Sequence, residues 1–203
     1  MFYFYSDISA WCFNRFLLGF WTKRLRIFIA ALIPPEIKLA MKSYVESIKS
    51  HWEGVKWESY EKFHVTLKFL GEVDESKLSD VEKSLRAGVQ GVSPFEMAIK
   101  GFGGFPSLRR PRVLVIDLSN NDDLLKFQLE LEERLEGIGF ARENRKFKSH
   151  ITVGRIKGYS SVRGSFPGPT PLSFKISEIA IMRSILHNKG SEHTGLSIFS
   201  LNE

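Results

Sequence analysis

Residues 63–72 read FHVTLKFLGE, and residues 149–158 read SHITVGRIKG. His, an apolar residue, Thr and a second apolar residue follow one another in both, first from His64 and again from His150. The chain carries only five histidines in 203 residues. With equally few threonines, random placement would give roughly 0.12 His-x-Thr triplets, so two in matching context are not accidental. Each copy alternates polar and apolar residues, the pattern of a half-buried β-strand. Alternation predicts that His64, Thr66 and Lys68 share one face and Val65, Leu67 and Phe69 the other. It likewise sets His150 and Thr152 opposite Ile151 and Val153. The apolar faces read as core and the polar faces as a site.

Outward from these strands, the chain punctuates itself clearly. LRIFIAALI (25–33) reads as a buried strand, closed by two prolines. Residues 35–50 read as a helix with Pro35 at its start and Ile37, Met41, Tyr44, Val45 and Ile48 at helical spacing. VKWESYEKF before His64 reads as a connector. Residues 74–90 read as a second helix, 94–106 as a strand running into the Gly-rich loop GFGGF, and 111–119 as another strand. Residues 121–140 give the clearest helix: an acidic start suits the helix dipole and Gly137 offers a stop. FPGPTPLSF (166–174) reads as a Pro-rich loop, 174–187 as one late strand and 194–201 as the last. A helix and a short polar connector precede each motif, so the order of elements predicts an α+β domain in which two similar halves meet.

Composition sets limits. The length suits one domain or one domain with two lobes, and 43% hydrophobic residues can fill a sizeable core. A net charge of +6 suits an anionic partner. The single cysteine, Cys12, excludes an intramolecular disulfide and a Cys-rich zinc site, and fits a reducing, cytoplasmic setting. Residues 1–24 are rich in aromatics, but Asp7 and Arg15 interrupt the apolar run, so neither a secretory signal nor a membrane span is expected. They read as an extension outside the domain of residues 25–203.

Two strands facing one cleft would bring together two imidazoles and two hydroxyls. Histidine titrates near neutrality, at about 6.5, so one ring can take a proton from water while the other gives one to a leaving alkoxide. Rings about 5–8 Å apart would flank a phosphate. Thr66 and Thr152 add donors for non-bridging oxygens. No metal or other cofactor is called for. Zinc would lack ligands, since no Asp or Glu lies two or four residues from either histidine. A serine hydrolase would need a G-x-S-x-G elbow, which is absent. GFGGF lacks the Lys-Ser/Thr of a phosphate loop and reads as a hairpin loop.

The paired motifs, with RIFIA, GFGGFPSLRRPRVLVIDL, R-x-F-x-x-HITVGR and a late MRS, resemble the 2H phosphoesterases over residues 25–201. The nearest branch is the RNA 2′,3′-cyclic phosphodiesterase group, also called the 2′-5′ RNA ligase family. The resemblance implies an α+β, two-lobed 2H phosphoesterase fold: two antiparallel sheets, helices packed outside, and a motif strand from each lobe at a central cleft. It implies metal-independent opening of 2′,3′-cyclic phosphates at RNA ends to leave a 2′-phosphate. It implies His64 as proton donor, His150 as proton acceptor, and Thr66 and Thr152 as phosphate binders. Lys68, Arg155 and Arg112 are secondary substrate-binding candidates. Arg155 has the wrong strand parity, so only a bulge or bend would aim it inward. The expected partner is RNA with cyclic phosphate ends, tRNA halves among them, met by a monomer with no membrane role. A 2′-5′ RNA ligase and a non-catalytic RNA-end binding module are the alternatives. Leu25 stands where the family places its initiator Met, so an alternative start there is expected. Where the family has a tyrosine near the last strand this chain has His193, read with His51 and His187 as surface.

Overall fold

The computed structural model describes residues 23–119, 121–188 and 190–202. Its elements run β1 (Arg24–Leu32), α1 (Pro35–Ile48), β2 (Trp52–Trp57), β3 (His64–Asp74), α2 (Leu78–Val89), β4 (Phe95–Phe105), β5 (Val113–Leu118), α3 (Asp122–Glu136), β6 (His150–Val162), β7 (Ser173–Ile176), β8 (Glu178–His187) and β9 (Gly190–Ser200). The expected α+β class holds. All pairings are antiparallel. The order is β7-β4-β5-β6-β3-β1-β8-β9, with β2 beside β6. The two sheets expected of the lobes are joined where β3 meets β6, at the single pair Val65↔Ile151.

One face of the strands carries Ile27, Ile29, Val65, Leu67, Leu114, Ile116, Ile151, Ile179 and Ile181. These form a single core with Met41 and Val45 of α1, Val81 and Leu85 of α2, and Leu124, Phe127, Leu131 and Leu135 of α3. Burying one such side chain contributes about 1.5–3 kcal/mol, so the helices are held chiefly by their apolar stripes. The opposite face has its own buried residues outside that core, Phe28, Ala30, Val115 and Ala180. It is the concave side on which the site lies.

Several elements differ from expectation. The connector before β3 contains β2, which Gly54, at φ 72°, interrupts and so hides from pattern reading. GFGGF is strand to its end, paired with β5 from Ile99 to Phe105. Its glycines answer crowding: a Cβ on Gly103 would collide with the Asp117 carboxylate, which crosses above it. The late strand breaks at Ser177 into β7 and β8, whose partners are β4 and β1. Asn121 caps α3 by accepting from Leu124 N–H at 2.8 Å. Gly137 keeps helical geometry, and the left-handed turn falls instead at Gly139, φ 94°. Of the expected extension, residues 1–22 lie outside the described residues. Arg24 already pairs with Asp74, and the Lys23 carbonyl accepts from Glu75 N–H at 2.9 Å.

Candidate active site

Val65 and Ile151 point into the helix-side core. Their neighbours therefore point the other way. Extending the antiparallel register by one residue sets His64 across from Thr152 and Thr66 across from His150. The four side chains occupy one patch, with the histidines on a diagonal that sets the two residues about 7–8 Å apart and their Cβ atoms somewhat closer.

Both rings hang from the backbone in the same way. His64 Nδ1–H donates to the Lys62 carbonyl at 2.6 Å, and His150 Nδ1–H to the Lys148 carbonyl at 2.7 Å. With Nδ1 so engaged, each neutral ring keeps its lone pair on Nε2. His64 Nε2 accepts from the Thr66 hydroxyl at 3.1 Å. Each ring also rests on a phenylalanine, His64 on Phe28 at 5.0 Å between centroids and His150 on Phe105, edge-on, at 4.9 Å. The repeat thus begins two residues before each histidine, as Lys-x-His-x-Thr in KFHVT and KSHIT.

A matching irregularity follows each threonine. Between β1 and β3, Ala30 pairs with Thr66 and Ile29 with Lys68, which leaves Leu67 as an extra residue. Between β5 and β6, Val115 pairs with Thr152 and Leu114 with Gly154, which leaves Val153 extra. An inserted residue reverses the alternation downstream. Lys68 therefore leaves the His64 face. It is buried among the helices, ion-paired to Glu132 and donating to the Ala141 carbonyl at 2.8 Å. This corrects its reading as a substrate contact. Phe69, expected in the core, turns to the concave side, 5.7 Å from the Phe28 ring and 68% exposed. The second bulge supplies what Arg155 needed. Ile156 is buried, while Arg155 faces the patch and donates from Nε to Glu58 Oε1 at 3.0 Å.

His193 is not the surface residue expected. In a flat sheet, β9 would lie three strands, about 14 Å, from β3. The sheet curls instead, and the His193 ring stands 5.5 Å from His64 and 5.1 Å from Phe28. Its Nδ1 is buried without a hydrogen-bond partner among the described residues. His51 and His187 lie elsewhere, His51 bonded to the Arg163 carbonyl and His187 paired with Glu192.

Burial pushes His64 down to about 4, against the opposing pull of its bond to the Lys62 carbonyl, and the charges of His193, Lys38 and Arg155 add to the depression. Burial lowers His193 too, helped by Lys62 and Arg155 and opposed by Glu58. Asp117, paired with His150 across β5 and β6, is raised by burial. Arg112 is pinned by its backbone, its N–H donating to Phe105 O at 2.7 Å and its carbonyl accepting from Ile156 N–H at 2.9 Å, with the side chain exposed. No cluster of three or more His, Cys, Asp and Glu among the described residues is arranged to hold a metal ion. No helix among them is long and apolar enough to cross a membrane.

Two Nε2 atoms that can carry a proton, two hydroxyls and a guanidinium can surround a tetrahedral anion from opposite sides. Comparison with known proteins bears on which anion. A family model described as LigT-like phosphoesterase matches residues 32–115. The RNA 2′,3′-cyclic phosphodiesterase of Thermotoga maritima is 40% identical over 135 residues, 66% of this chain and 72% of that protein. A protein of the same name from Methanothermobacter thermautotrophicus is 31% identical over 184 residues, 88% of this chain and all of the relative. Among solved structures, TT0787 of Thermus thermophilus superposes with a TM-score of 0.74 at 27% identity, covering 87% of this chain and 98% of that one. LigT of Escherichia coli, complexed with 3′-AMP, shares the fold at a TM-score of 0.72 and 24% identity, over 89% of this chain and all of its own.

Proposed function

The chain belongs to the LigT-like phosphoesterases of the 2H superfamily, and on that premise we propose that it hydrolyses 2′,3′-cyclic phosphates at RNA ends to 2′-phosphates. The observation that carries this reading is the pair of Nε2 acceptors on adjoining strands, each ring held by the carbonyl two residues before it.

His150 Nε2 takes a proton from water as the water oxygen bonds to phosphorus. The P–O3′ bond breaks, and His64 Nε2–H delivers its proton to the departing O3′. The product keeps the phosphate on O2′, and the two rings exchange protons with solvent before the next turnover. Thr66 and Thr152 hydroxyls donate to the non-bridging oxygens, and Arg155 offsets the charge that accumulates on them. His64 begins with its proton affinity depressed. The bound phosphate anion, beside Nε2, restores that affinity, so the acid is loaded by the substrate itself. Phe69, exposed and backed by the buried Phe28, forms an apolar wall beside His64 that suits the face of a ribose or base.

Simple end-binding is less favoured because binding alone requires no paired acid and base, and ligation because the relatives are named cyclic phosphodiesterases. Ends of tRNA halves fall within the proposed substrate class, and a cytoplasmic setting within the same proposal. Both histidines come from one chain, which supports a monomer as the working unit. The test is to incubate the purified chain, with EDTA, with an oligonucleotide ending in a 2′,3′-cyclic phosphate and to identify the product by phosphorus NMR. A 2′-phosphate is expected. No turnover, or a 3′-phosphate, overturns the reading. Activity lost in EDTA and restored by a divalent ion overturns the metal-free scheme.

A further inference from the structure

The cations around the patch are distributed unevenly. On the His64 side they are engaged: Lys38 donates to Glu61 O at 2.9 Å, Lys62 to Ser191 O at 2.5 Å, and Arg155 to Glu58. On the His150 side the exposed cations named below stand outside any ion pair among the described residues. Phe105, whose ring touches His150, ends β4 and opens the turn PSLRRPR to β5. That turn presents Arg109, Arg110 and Arg112, all exposed. It is closed at its base by the bond from Arg112 N–H to Phe105 O and within by Arg110 N–H to Ser107 O at 3.3 Å. Arg110 is two residues from Arg112, so at most about 7 Å of backbone separates it from the wall behind His150.

Lys100 on β4 and Lys146 and Lys148 before β6 are exposed as well. Lys100 and Lys148 both lie close enough to Asp117 to act on it. None of these six side chains is in an ion pair with a described acid. Glu143, in the connector before β6, has its carboxylate turned back onto Arg145 N–H. Asp117 is half-buried beneath them.

We propose that the β4–β5 turn, with Lys100 and Lys148, is a track for the RNA backbone on the 5′ side of the cyclic phosphate. This rests on the function proposed above and deepens it by naming the rim over which the RNA strand leaves the site. A strand whose terminal phosphate sits between His64 and His150 must leave the patch over one rim or the other. Among the described residues, the His150 rim carries the larger group of exposed cations outside any ion pair, six with the single half-buried Asp117 beneath them, whereas Lys38 and Lys62 on the other rim are half-buried and held to carbonyls. The guanidiniums of Arg109 and Arg110 suit phosphate oxygens better than ammonium groups would, being planar and forked.

The experiment compares kcat/KM for cytidine 2′,3′-cyclic phosphate with that for a six-nucleotide RNA bearing the same end, in wild type and in Arg109→Gln/Arg110→Gln. The wild type is expected to favour the oligonucleotide. The double variant should lose about 10-fold on it and nothing on the mononucleotide. Its salt dependence should be shallower by about 1.4 in log–log slope, because two phosphates are no longer neutralised. Lys83→Gln/Lys126→Gln, which removes the same charge from the helix layer, should change neither. An equal loss on both substrates, an equal loss in the helix-layer control, or no length preference in wild type overturns the proposal. If wild type turns over neither substrate, anisotropy of a fluorescent six-mer ending in a 2′-phosphate separates the two ideas. Binding that weakens in the turn variant alone upholds the track while the proposed reaction fails. Binding indifferent to the turn overturns the track too.

Discussion

The two motif strands share a backbone and differ in surroundings. β3 and β6 each carry a histidine held through Nδ1 by the carbonyl two residues earlier, a threonine two residues later and a bulge at the third position. These common features present two lone pairs to one small volume. The differences begin after the bulge. At the fourth position β3 has a buried Lys68 and β6 has Gly154. At the fifth, turned into the patch, β3 has Phe69 and β6 has Arg155. His64 lies among Phe28, Phe69 and His193, whereas His150 stands beside the exposed cations of the β4–β5 turn. On the function proposed, the repeated backbone supplies the proton chemistry, and the divergent neighbours give one wall for apolar rings and one for phosphate charge.

The strongest challenge to the shared half of this comparison is to remove each ring. His64→Ala and His150→Ala should each cut kcat by about 10²–10⁴-fold. The double variant should lose little more than the worse single one, because the rings act as one device. Two losses that multiply in full would show that the motifs work independently.

The next test concerns the buried charge that only β3 carries. Lys68→Met leaves Glu132 buried without its partner, at a cost of about 3–5 kcal/mol in urea unfolding. Lys68→Met/Glu132→Leu should recover most of it. A single variant as stable as wild type would mean that the pair does not brace β3 against α3.

Acid tests the burial of the His64 ring. The folded-state proton affinity of His64, about 4, lies below that of the unfolded chain, near 6.5. The unfolded state therefore binds more protons between these values, so stability falls as pH drops from 6.5 to 4 and levels off below. The contribution is at most about 3.4 kcal/mol. Denaturation midpoints across this range should slope less in His64→Gln, and an unchanged slope would contradict the burial argument.

The smallest expected effect separates the two walls. Phe69→Ala should raise KM for the oligonucleotide about 10-fold with kcat nearly intact, as loss of one stacking surface does. Arg155→Gln should act on kcat instead. If both variants change the same parameter, the walls do not divide the work.

Much of this architecture is legible in the sequence. α1, α2 and α3 fall within the stretches marked by periodicity, Pro35 and the acidic start at Asp122 and Asp123, and the doubled His-x-Thr marks the patch because both members of each triplet precede the bulge. Beyond it, alternation misleads: one extra residue at Leu67 exchanges the places of Lys68 and Phe69, and nothing in HVTLKFLGE betrays it. Phe28, Phe105 and His193 were invisible for another reason. They reach the histidines from other strands, through the order and curl of the sheet, and local pattern alone reads Phe28 as core, Phe105 as hairpin loop and His193 as surface. The companion lysines of KFHVT and KSHIT were the overlooked signal.

The matched tethers of the two rings have a consequence for the sense in which the reaction runs. Both histidines, when neutral, expose the same nitrogen, and neither backbone marks one of them as giver and the other as receiver. Every catalyst speeds passage over its barrier equally from either side, and matched tethers let either ring serve as the acid in one sense and the base in the other. What fixes the net direction is then the supply of attacking hydroxyls. Water, present at its bulk concentration, outnumbers any ribose hydroxyl, so such a site works as a hydrolase unless a second RNA end is held beside it.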